Sequence, residues 1–430
     1  MQVDWIQLGT EHFIPADVQE ELINSSSEAL YDMLLNGVCA SSSPLLCRIC
    51  NTVNQLSVFS HLQYKPSDDL LSRKQLRGMK EKKAHEVLQI CPFLHSIWES
   101  HHVNTIVDIG AGQGYISEFL AREYQYSVIG VETQSQLVEK VNRQKATDHF
   151  HMITYNIFKG LKARDLERLV FVPEQTACKR VCLDMPIPDY GFIGLHCCGD
   201  LSASMCRLFI EADAHCRLLS FVGCCYNLLT TSEETQGAIA GFPLSPNVVS
   251  VSLSHRARNC IVQNTQFDSV AEMEAAIERL FFRSLLQTVI CKHFPEESDA
   301  IRFPVGKLHF EYGKTTFYEY VREFFQKKHP ESSIPLEEEV NRLYSQSSRS
   351  RKLFQGFFVL QSLYPCVITA LFLHFTICQL LESLIIADRV YFLQTHGVRC
   401  RVDCVFDRKH GKVNFSSFFP TNNRGNHLFS

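Results

Sequence analysis

The middle of the chain alternates short apolar runs with amphipathic stretches. Residues 103–109 form an apolar run rich in Val and Ile that ends at glycines, as a buried parallel strand does before a tight turn. Residues 116–124 then have helical periodicity, residues 127–132 form a second apolar run, and residues 136–144 continue as a helix. This order predicts a βαβ unit of the Rossmann type.

Two further apolar runs, residues 191–196 and residues 216–224, end in polar and cysteine-rich segments and predict two more strands. Helical periodicity dominates before and after this part of the chain, and residues 396–407 have the pattern of a late strand. We therefore predict an α/β fold, a Rossmann-like sheet with a helical N-terminal segment and a large helical region after the core. The predicted organisation is residues 1–80 helical, 81–235 Rossmann-like core, 236–395 mainly helical, and 396–430 late strands with an atypical tail.

Composition narrows the function classes. A chain of 430 residues with 45% hydrophobic residues has ample core, which excludes wholesale disorder. Its net charge of −4 argues against nucleic-acid binding over the whole surface, and no DNA partner is expected. The first residues have neither a basic nor an apolar export signal. We expect an intracellular, most simply cytoplasmic, protein whose 18 cysteines stay reduced, with a nuclear or membrane-associated location left open.

The glycines after the first predicted strand indicate the cofactor. The spacing is D-x-G-x-G-x-G rather than the G-x-G-x-x-G of dinucleotide sites, and it resembles motif I of class I S-adenosylmethionine-dependent methyltransferases. Glycines let the methionine portion of this cofactor approach the backbone, and an acid at the end of the second strand can accept hydrogen bonds from ribose hydroxyls. The predicted cofactor-binding residues are Asp108, Gly110, Gly112, Gln113, Gly114 and Glu132.

The ends of the later strands carry the candidate catalytic residues, namely His196, Cys198, Asp200, Cys225 and Tyr226. A histidine with a pKa near neutrality can serve as a general base, although a structural histidine at a strand end is the alternative. Asp200 could orient that base, but we favour it as the cap of the following helix. We predict no metal, because neighbouring strand residues point to opposite faces and adjacent cysteines then make poor joint ligands.

These strand ends are similar to those of the methyltransferase-like protein 25 family, which includes proteins named for a ribosomal RNA adenine dimethylase domain. The resemblance rests on G-L-H-x-C-G-D-L-S and V-G-C-C-Y-x-L-L. It continues in KKAHEV (82–87), GFPLS (241–245), SHRARN (254–259), VGK (305–307), YEYV (318–321) and LLESLIIADRVYFL (380–393). It implies a methyltransferase without a settled substrate, and the adenine-dimethylase motif itself is absent from the site. A looser similarity to tRNA 2′-O-methyltransferases points toward RNA.

Two segments depart from the family pattern. An extra apolar stretch occupies residues 364–379, and the tail after residue 411 lacks the family's usual last strand, for which KVNFSSFF (412–419) is a candidate replacement. No charged residue occurs between Leu353 and Leu381, a length that raises the question of a membrane span. We favour a buried helix, and a membrane partner is expected only through residues 353–381.

The acceptor remains open between RNA and a translation-related protein. Six basic residues precede or begin the core, namely Arg73, Lys74, Arg77, Lys80, Lys82 and Lys83, and they could contact phosphates or form a solvated helix face. The leading hypothesis is a S-adenosylmethionine-dependent methyltransferase. The alternative is a non-catalytic cofactor-binding or interaction protein that keeps the methyltransferase fold. Oligomeric state is not predicted.

Overall fold

The structure is a computed structural model of the 430-residue chain. It describes the following segments, together with residues 37, 39, 41 and 267: 15–35, 43–62, 79–172, 187–212, 214–236, 239–248, 251–262, 269–294, 308–348, 363–406 and 416–418.

A seven-stranded sheet organises the described core. Its strands are β1 (Thr105–Ile109), β2 (Ser127–Glu132), β3 (Phe150–Thr154), β4 (Tyr190–Cys198), β5 (Cys216–Cys224), β6 (Val402–Cys404) and β7 (Ser416–Phe418). The order across the sheet is β3-β2-β1-β4-β5-β7-β6. The first five strands are parallel, and β7 is antiparallel to both of its neighbours. The predicted Rossmann-like α/β class is confirmed.

The described chain also contains helices, which are joined to the strands and to one another by loops. Their bounds are α1 (Ala16–Asn24), α2 (Ser27–Leu35), α3 (Pro44–Leu56), α4 (Glu81–Ser100), α5 (Tyr115–Tyr124), α6 (Ser135–Lys145), α7 (Ala163–Phe171), α8 (Leu201–Glu211), α9 (Ser232–Thr235), α10 (His255–Val262), α11 (Val270–His293), α12 (Phe317–Lys328), α13 (Glu337–Ser348) and α14 (Leu363–Thr395). Short 3-10 turns occur at Val58–His61, Tyr226–Leu228 and Pro246–Val248.

The order of the strands places a crevice beside β1. Every residue of β1 is buried, because β2 lies on one side of it and β4 on the other. The chain runs outward from β1 to β2 and β3, then returns to β4 on the opposite side of β1. Ligands of open α/β sheets bind outside the carboxyl ends of the strands at such a reversal.

The sheet is completed by the end of the chain. The predicted late strand corresponds to β6, and part of the candidate segment 412–419 forms β7, which pairs with β5 through Val222 and Ser417 and with β6. The atypical tail therefore supplies the position between β5 and β6.

The chain divides into two compact units that interleave along the sequence, unlike the consecutive ranges that we predicted. Unit 1 contains residues 1–60 and 265–380, and unit 2 contains residues 61–264 and 381–430. The described part of unit 1 is helical, and its core includes Leu22 of α1 together with Phe282 and Phe324, all almost fully buried. Unit 2 holds the sheet and every candidate site residue.

Helix α14 contains the apolar stretch that raised the membrane question. From Val367 to Thr395 it is long and apolar enough to cross a membrane by length and composition, and 56% of the window that meets this test is buried within the protein. Its later turns carry Glu382, Asp388 and Arg389, all almost fully buried. Asp388 accepts hydrogen bonds from the Leu244 and Ser245 amides. The later turns of this helix are thus packed within unit 2, and a membrane contact through residues 353–381 stays a prediction.

Candidate functional site

A cavity of about 440 Å³ lies at the carboxyl ends of β1, β2 and β4. Three of the predicted site residues, Gly110, Cys198 and Asp200, are in its wall. The other lining residues are Ile109, Val131, Thr133, Tyr155, Asn156, Ile157, Phe158, Lys159, Leu201 and Ser204. The cavity therefore occupies the crevice that the strand order predicts.

The glycine turn after β1 forms one side of this crevice. Gly110, Gly112 and Gly114 have φ angles of 75°, 56° and 66°, a region that residues with a Cβ seldom adopt. A Cβ on Gly112 would come no nearer than 4.0 Å to a surrounding atom, whereas one on Gly114 would lie 2.9 Å from Phe150. Gly112 thus leaves open space, and Gly114 permits close packing of the turn on the core.

Asp108 stabilises the turn from behind. It is buried, it is not among the residues that line the cavity, and its Oδ2 accepts a hydrogen bond of 2.5 Å from the Ser117 hydroxyl. Burial raises the pKa of Asp108 to about 6, although the Ser117 hydrogen bond and the charge of Lys83 act in the opposite direction. The structure therefore supports the predicted role in fixing the turn, and direct contact with a ligand stays a prediction.

Glu132, at the end of β2, is held by backbone amides. Its Oε2 accepts from the Gly112 amide at 3.0 Å, and its Oε1 accepts from the Thr133 and Gln134 amides at 2.8 and 3.2 Å. The structure thus brings together two predicted cofactor residues from different strands. Gln113 is exposed, and its carbonyl oxygen accepts from Lys145.

The loop after β3 is a part of the site that sequence reasoning missed. Tyr155, Phe158 and Lys159 line the cavity, and the Lys159 ammonium lies 2.6 Å from Asp200. β3 was not predicted, because only some of its residues are buried and its apolar pattern is weak. The one available signal was that this segment follows the second helix of the βαβ pattern, where a third strand and its loop would be expected.

Asp200 is not a helix cap, which corrects our preferred interpretation. It stands at the N-cap position of α8, but its side chain makes no capping hydrogen bond. Instead, Oδ1 accepts from the Thr230 amide at 2.7 Å and Oδ2 accepts from the Thr230 hydroxyl at 2.9 Å. The carboxylate binds the Thr230 amide and hydroxyl and the charged Lys159 ammonium instead of the helix amides. The hydrogen bond to a charged donor is the stronger kind.

His196 lies beside an acid and a lysine at the end of β4. Its φ angle is 63°, and its Nε2 is 3.3 Å from Glu86 and 3.4 Å from Lys83. Glu86 is buried and also pairs with Lys83. Burial acts to raise the pKa of Glu86, but the hydrogen bonds from His196 and Lys83 prevail and lower it to about 2. The ionised acid fixes the imidazole, as a partner of a general base would.

Three cysteine thiols meet at the ends of β4 and β5. The Cys198 sulfur is 3.3 Å from the sulfurs of both Cys224 and Cys225. Our premise that adjacent cysteines must point apart is wrong here, because Cys225 leaves the strand with a left-handed φ of 48°. The hydrogen bond from Cys224 is the main cause that lowers the pKa of Cys198 to about 6, with help from Cys225 and the His196 charge and against burial.

Tyr226 faces the core of unit 2. It is buried in a cluster with Leu229, Phe242 and Ile385, and burial raises its pKa, as does a hydrogen bond to Glu382. Tyr226 is not among the residues that line the cavity. Its predicted catalytic role would need its side chain to reach the cavity, so this role stays a prediction.

Several sequence predictions fall outside the described residues. They concern the basic residues Arg73, Lys74 and Arg77 and the segment VGK (305–307). Of the lysines that remain, Lys82 lies 3.9 Å from Glu86 and Lys83 is paired with the same acid. Lys80 is exposed just before α4.

Comparison with known proteins agrees with this geometry. Residues 82–232 match the family model described as a methyltransferase domain. The chain is 27% identical to a mouse (Mus musculus) protein described as probable methyltransferase-like protein 25. The match spans 223 residues, which is 48% of this chain and 33% of the mouse protein. A human (Homo sapiens) protein of the same description is 27% identical over 222 residues, 48% of the chain and 32% of the relative. The match thus spans about a third of the length of these curated relatives.

Solved structures of methyltransferases give low similarity scores. The plantazolicin methyltransferase BpumL in complex with S-adenosylhomocysteine has a TM-score of 0.23 and 13% identity over 56% of this chain and 74% of that one. Magnesium protoporphyrin IX methyltransferase from Synechocystis PCC 6803, also with S-adenosylhomocysteine, has a TM-score of 0.21 and 15% identity over 41% and 65%. The assignment therefore rests on the family model and on the fold described above. Residues 82–232 match a methyltransferase domain, and the chain resembles methyltransferase-like protein 25 over about half of its length.

Proposed function

We propose that this chain transfers a methyl group from S-adenosylmethionine to RNA or to a protein of the translation machinery. The observation that carries the methyl-transfer part is the 440 Å³ cavity at the ends of β1, β2 and β4, with a glycine turn on one side of it. The glycine spacing in the sequence and the order of the strands both predict a ligand site at the carboxyl end of β1. The residues that line the cavity lie within the matched domain.

The residues around this cavity suit the cofactor. Gly110 and Gly112 leave room for it above the turn, since a Cβ on either would meet no atom closer than 3.6 Å. Glu132 accepts three amide hydrogen bonds, and a carboxylate has about four acceptor sites. Ribose hydroxyls would take the remaining site and replace the Gly112 amide. Tyr155 and Phe158 supply apolar surface for the adenine ring.

The cofactor supplies a methyl group on a sulfonium, and transfer is an in-line displacement that depends on positioning. We infer that His196 takes a proton from the acceptor through Nδ1, and that Glu86, 3.3 Å from Nε2, stabilises the imidazolium that results. Cys198 lies in the cavity wall two residues further on.

RNA is the acceptor class suggested by the looser resemblance and by Lys80, Lys82 and Lys83 at the entrance to α4. Two of these three lysines are close to Glu86, which reduces the positive charge available to phosphates. A translation-related protein is the other acceptor class, and the acidic balance of the chain favours it.

The test is methyl labelling of an extract from cells that lack this protein. Purified protein and methyl-labelled S-adenosylmethionine are added, and the RNA and protein fractions are counted separately. We expect label in one fraction with the wild-type chain and none with Gly112→Arg, while Gly397→Arg, at an open left-handed glycine that is not among the cavity-lining residues, keeps it. Cofactor binding without label in either fraction would favour the alternative, a non-catalytic cofactor-binding protein.

A further inference from the structure

The thiol cluster of Cys198, Cys224 and Cys225 has the composition of a metal site. Their three sulfur atoms lie within 4.8 Å of one another, with two of the distances at 3.3 Å. No other group of three or more histidine, cysteine or acidic side chains comes this close together within the described residues. Thiolates select soft or borderline ions such as zinc.

The backbone is bent so that these sulfurs converge. Cys225 adopts a φ of 48°, and a non-glycine residue pays a penalty in that region of about 1–3 kcal/mol. This bend directs the side chains of Cys224 and Cys225 to the same neighbour. Strain of this kind clusters at functional sites, and here it produces a three-sulfur set from two adjacent strands.

We propose that Cys198, Cys224 and Cys225 bind one zinc ion at the edge of the methyltransferase cavity. Zn–S bonds of about 2.3 Å in a tetrahedron place the sulfurs about 3.8 Å apart. The Cys198 sulfur, now 3.3 Å from each of the other two, therefore needs to move away from them by only about 0.5 Å. Binding converts three thiols to thiolates and releases three protons to solvent.

The fourth ligand position of this site would face the cavity. Cys198 is exposed and lines the cavity, whereas Cys224 is buried and is not among the lining residues. Three protein ligands with an open position are typical of catalytic rather than structural zinc. The open position fits a water molecule or a soft or nitrogen donor of the methyl acceptor, which zinc would hold beside the cofactor.

The test is the metal content of the full-length chain, purified under reducing conditions and incubated with zinc sulfate before removal of loosely bound metal. We expect about one zinc per chain in the wild type and a loss of at least tenfold in Cys225→Ser and Cys198→Ser. Cys400→Ser, a half-buried cysteine of the same unit outside the cluster, should keep the metal. A far-ultraviolet circular dichroism spectrum like that of the wild type shows that the fold of each variant is intact.

A second readout uses the wild-type chain and therefore does not depend on the folding of the variants. Cobalt added to the metal-free wild-type chain should give a thiolate-to-metal charge-transfer band in the near ultraviolet, which excess zinc removes. Absence of both the band and stoichiometric zinc in a reduced, folded wild-type chain would overturn the proposal. Equal zinc in the wild type and both cluster variants would also overturn it. Since no step here uses methyl transfer, failure of the methylation assay would leave this result unaffected.

Discussion

The end of β1 and the ends of β4 and β5 meet the same crevice but are built differently. After β1, three glycines take left-handed angles that cost them little. After β4 and β5, His196 and Cys225 take similar angles with full side chains, where the conformation is costly. A glycine turn thus leaves space in which a ligand can bind. A strained turn that keeps its side chains instead sets which functional groups lie beside that space.

Behind the cysteine ends lies a buried acid that should make unit 2 sensitive to pH. Burial raises the pKa of Glu382 to about 8, partly offset by a hydrogen bond with Tyr226. Below pH about 4, Glu382 is protonated in both the folded and the unfolded chain, and the free energy of unfolding is at its highest. As the pH rises toward 8, the unfolded chain loses this proton first, so the free energy of unfolding falls. Between pH 5 and 8, the wild type should lose about 4 kcal/mol of unfolding free energy that Glu382→Gln does not lose.

Urea unfolding followed by the fluorescence of buried Trp98, in a Trp5→Phe background, measures this difference. Exposed Glu139→Gln is the control and should follow the wild type at every pH. Parallel pH curves for the wild type and Glu382→Gln would show that this acid is solvated in the folded protein.

Two glycines of the turn have different surroundings: Gly114 packs against the core, and Gly112 borders open space. Gly114→Ala should destabilise unit 2 by about 3 kcal/mol, because a Cβ there adds overpacking against Phe150 to the cost of a left-handed angle. Gly112→Ala should cost only about 1 kcal/mol, the backbone part alone. The Trp98 unfolding curve reports both values, and equal losses would remove the distinction.

The end of β4 should control turnover rather than cofactor affinity. His196→Ala should lower methyl transfer about 100-fold, the lower range for loss of a general base, and leave S-adenosylmethionine affinity nearly unchanged. Single-turnover labelling and calorimetry measure the two quantities. Wild-type turnover in His196→Ala would leave the histidine with a structural role only, and Glu86→Gln should show a smaller loss in the same direction.

Glu132 gives the smallest of these effects and tests the other side of the crevice. Glu132→Ala should weaken S-adenosylmethionine binding by about 2 kcal/mol, the scale of a hydrogen bond to a charged group. Titration calorimetry against Glu139→Ala, an exposed acid on α6, measures this difference. Unchanged affinity would mean that the carboxylate serves only to anchor the Gly112 and Thr133 amides.

Sequence reasoning predicted the β1 side of the site well because periodicity and glycine spacing act locally. Asp108, Gly112 and Glu132 lie where the βαβ pattern implied. The β4 and β5 side depended on features without a local signal, namely the angle at Cys225, the Lys159–Asp200 ion pair and the approach of Glu86 to His196. These contacts join residues far apart in the chain, so side-chain types alone could not predict them.

Calorimetric titration of Gly112→Arg tests most directly whether S-adenosylmethionine binds on the glycine turn. The wild type should bind in the micromolar range, roughly −8 kcal/mol. Gly112→Arg should show no measurable binding because its side chain would occupy the open space over the turn. Gly397→Arg, with a comparable φ of 76° and outside the residues that line the cavity, should bind normally. Undiminished binding by Gly112→Arg would contradict the account.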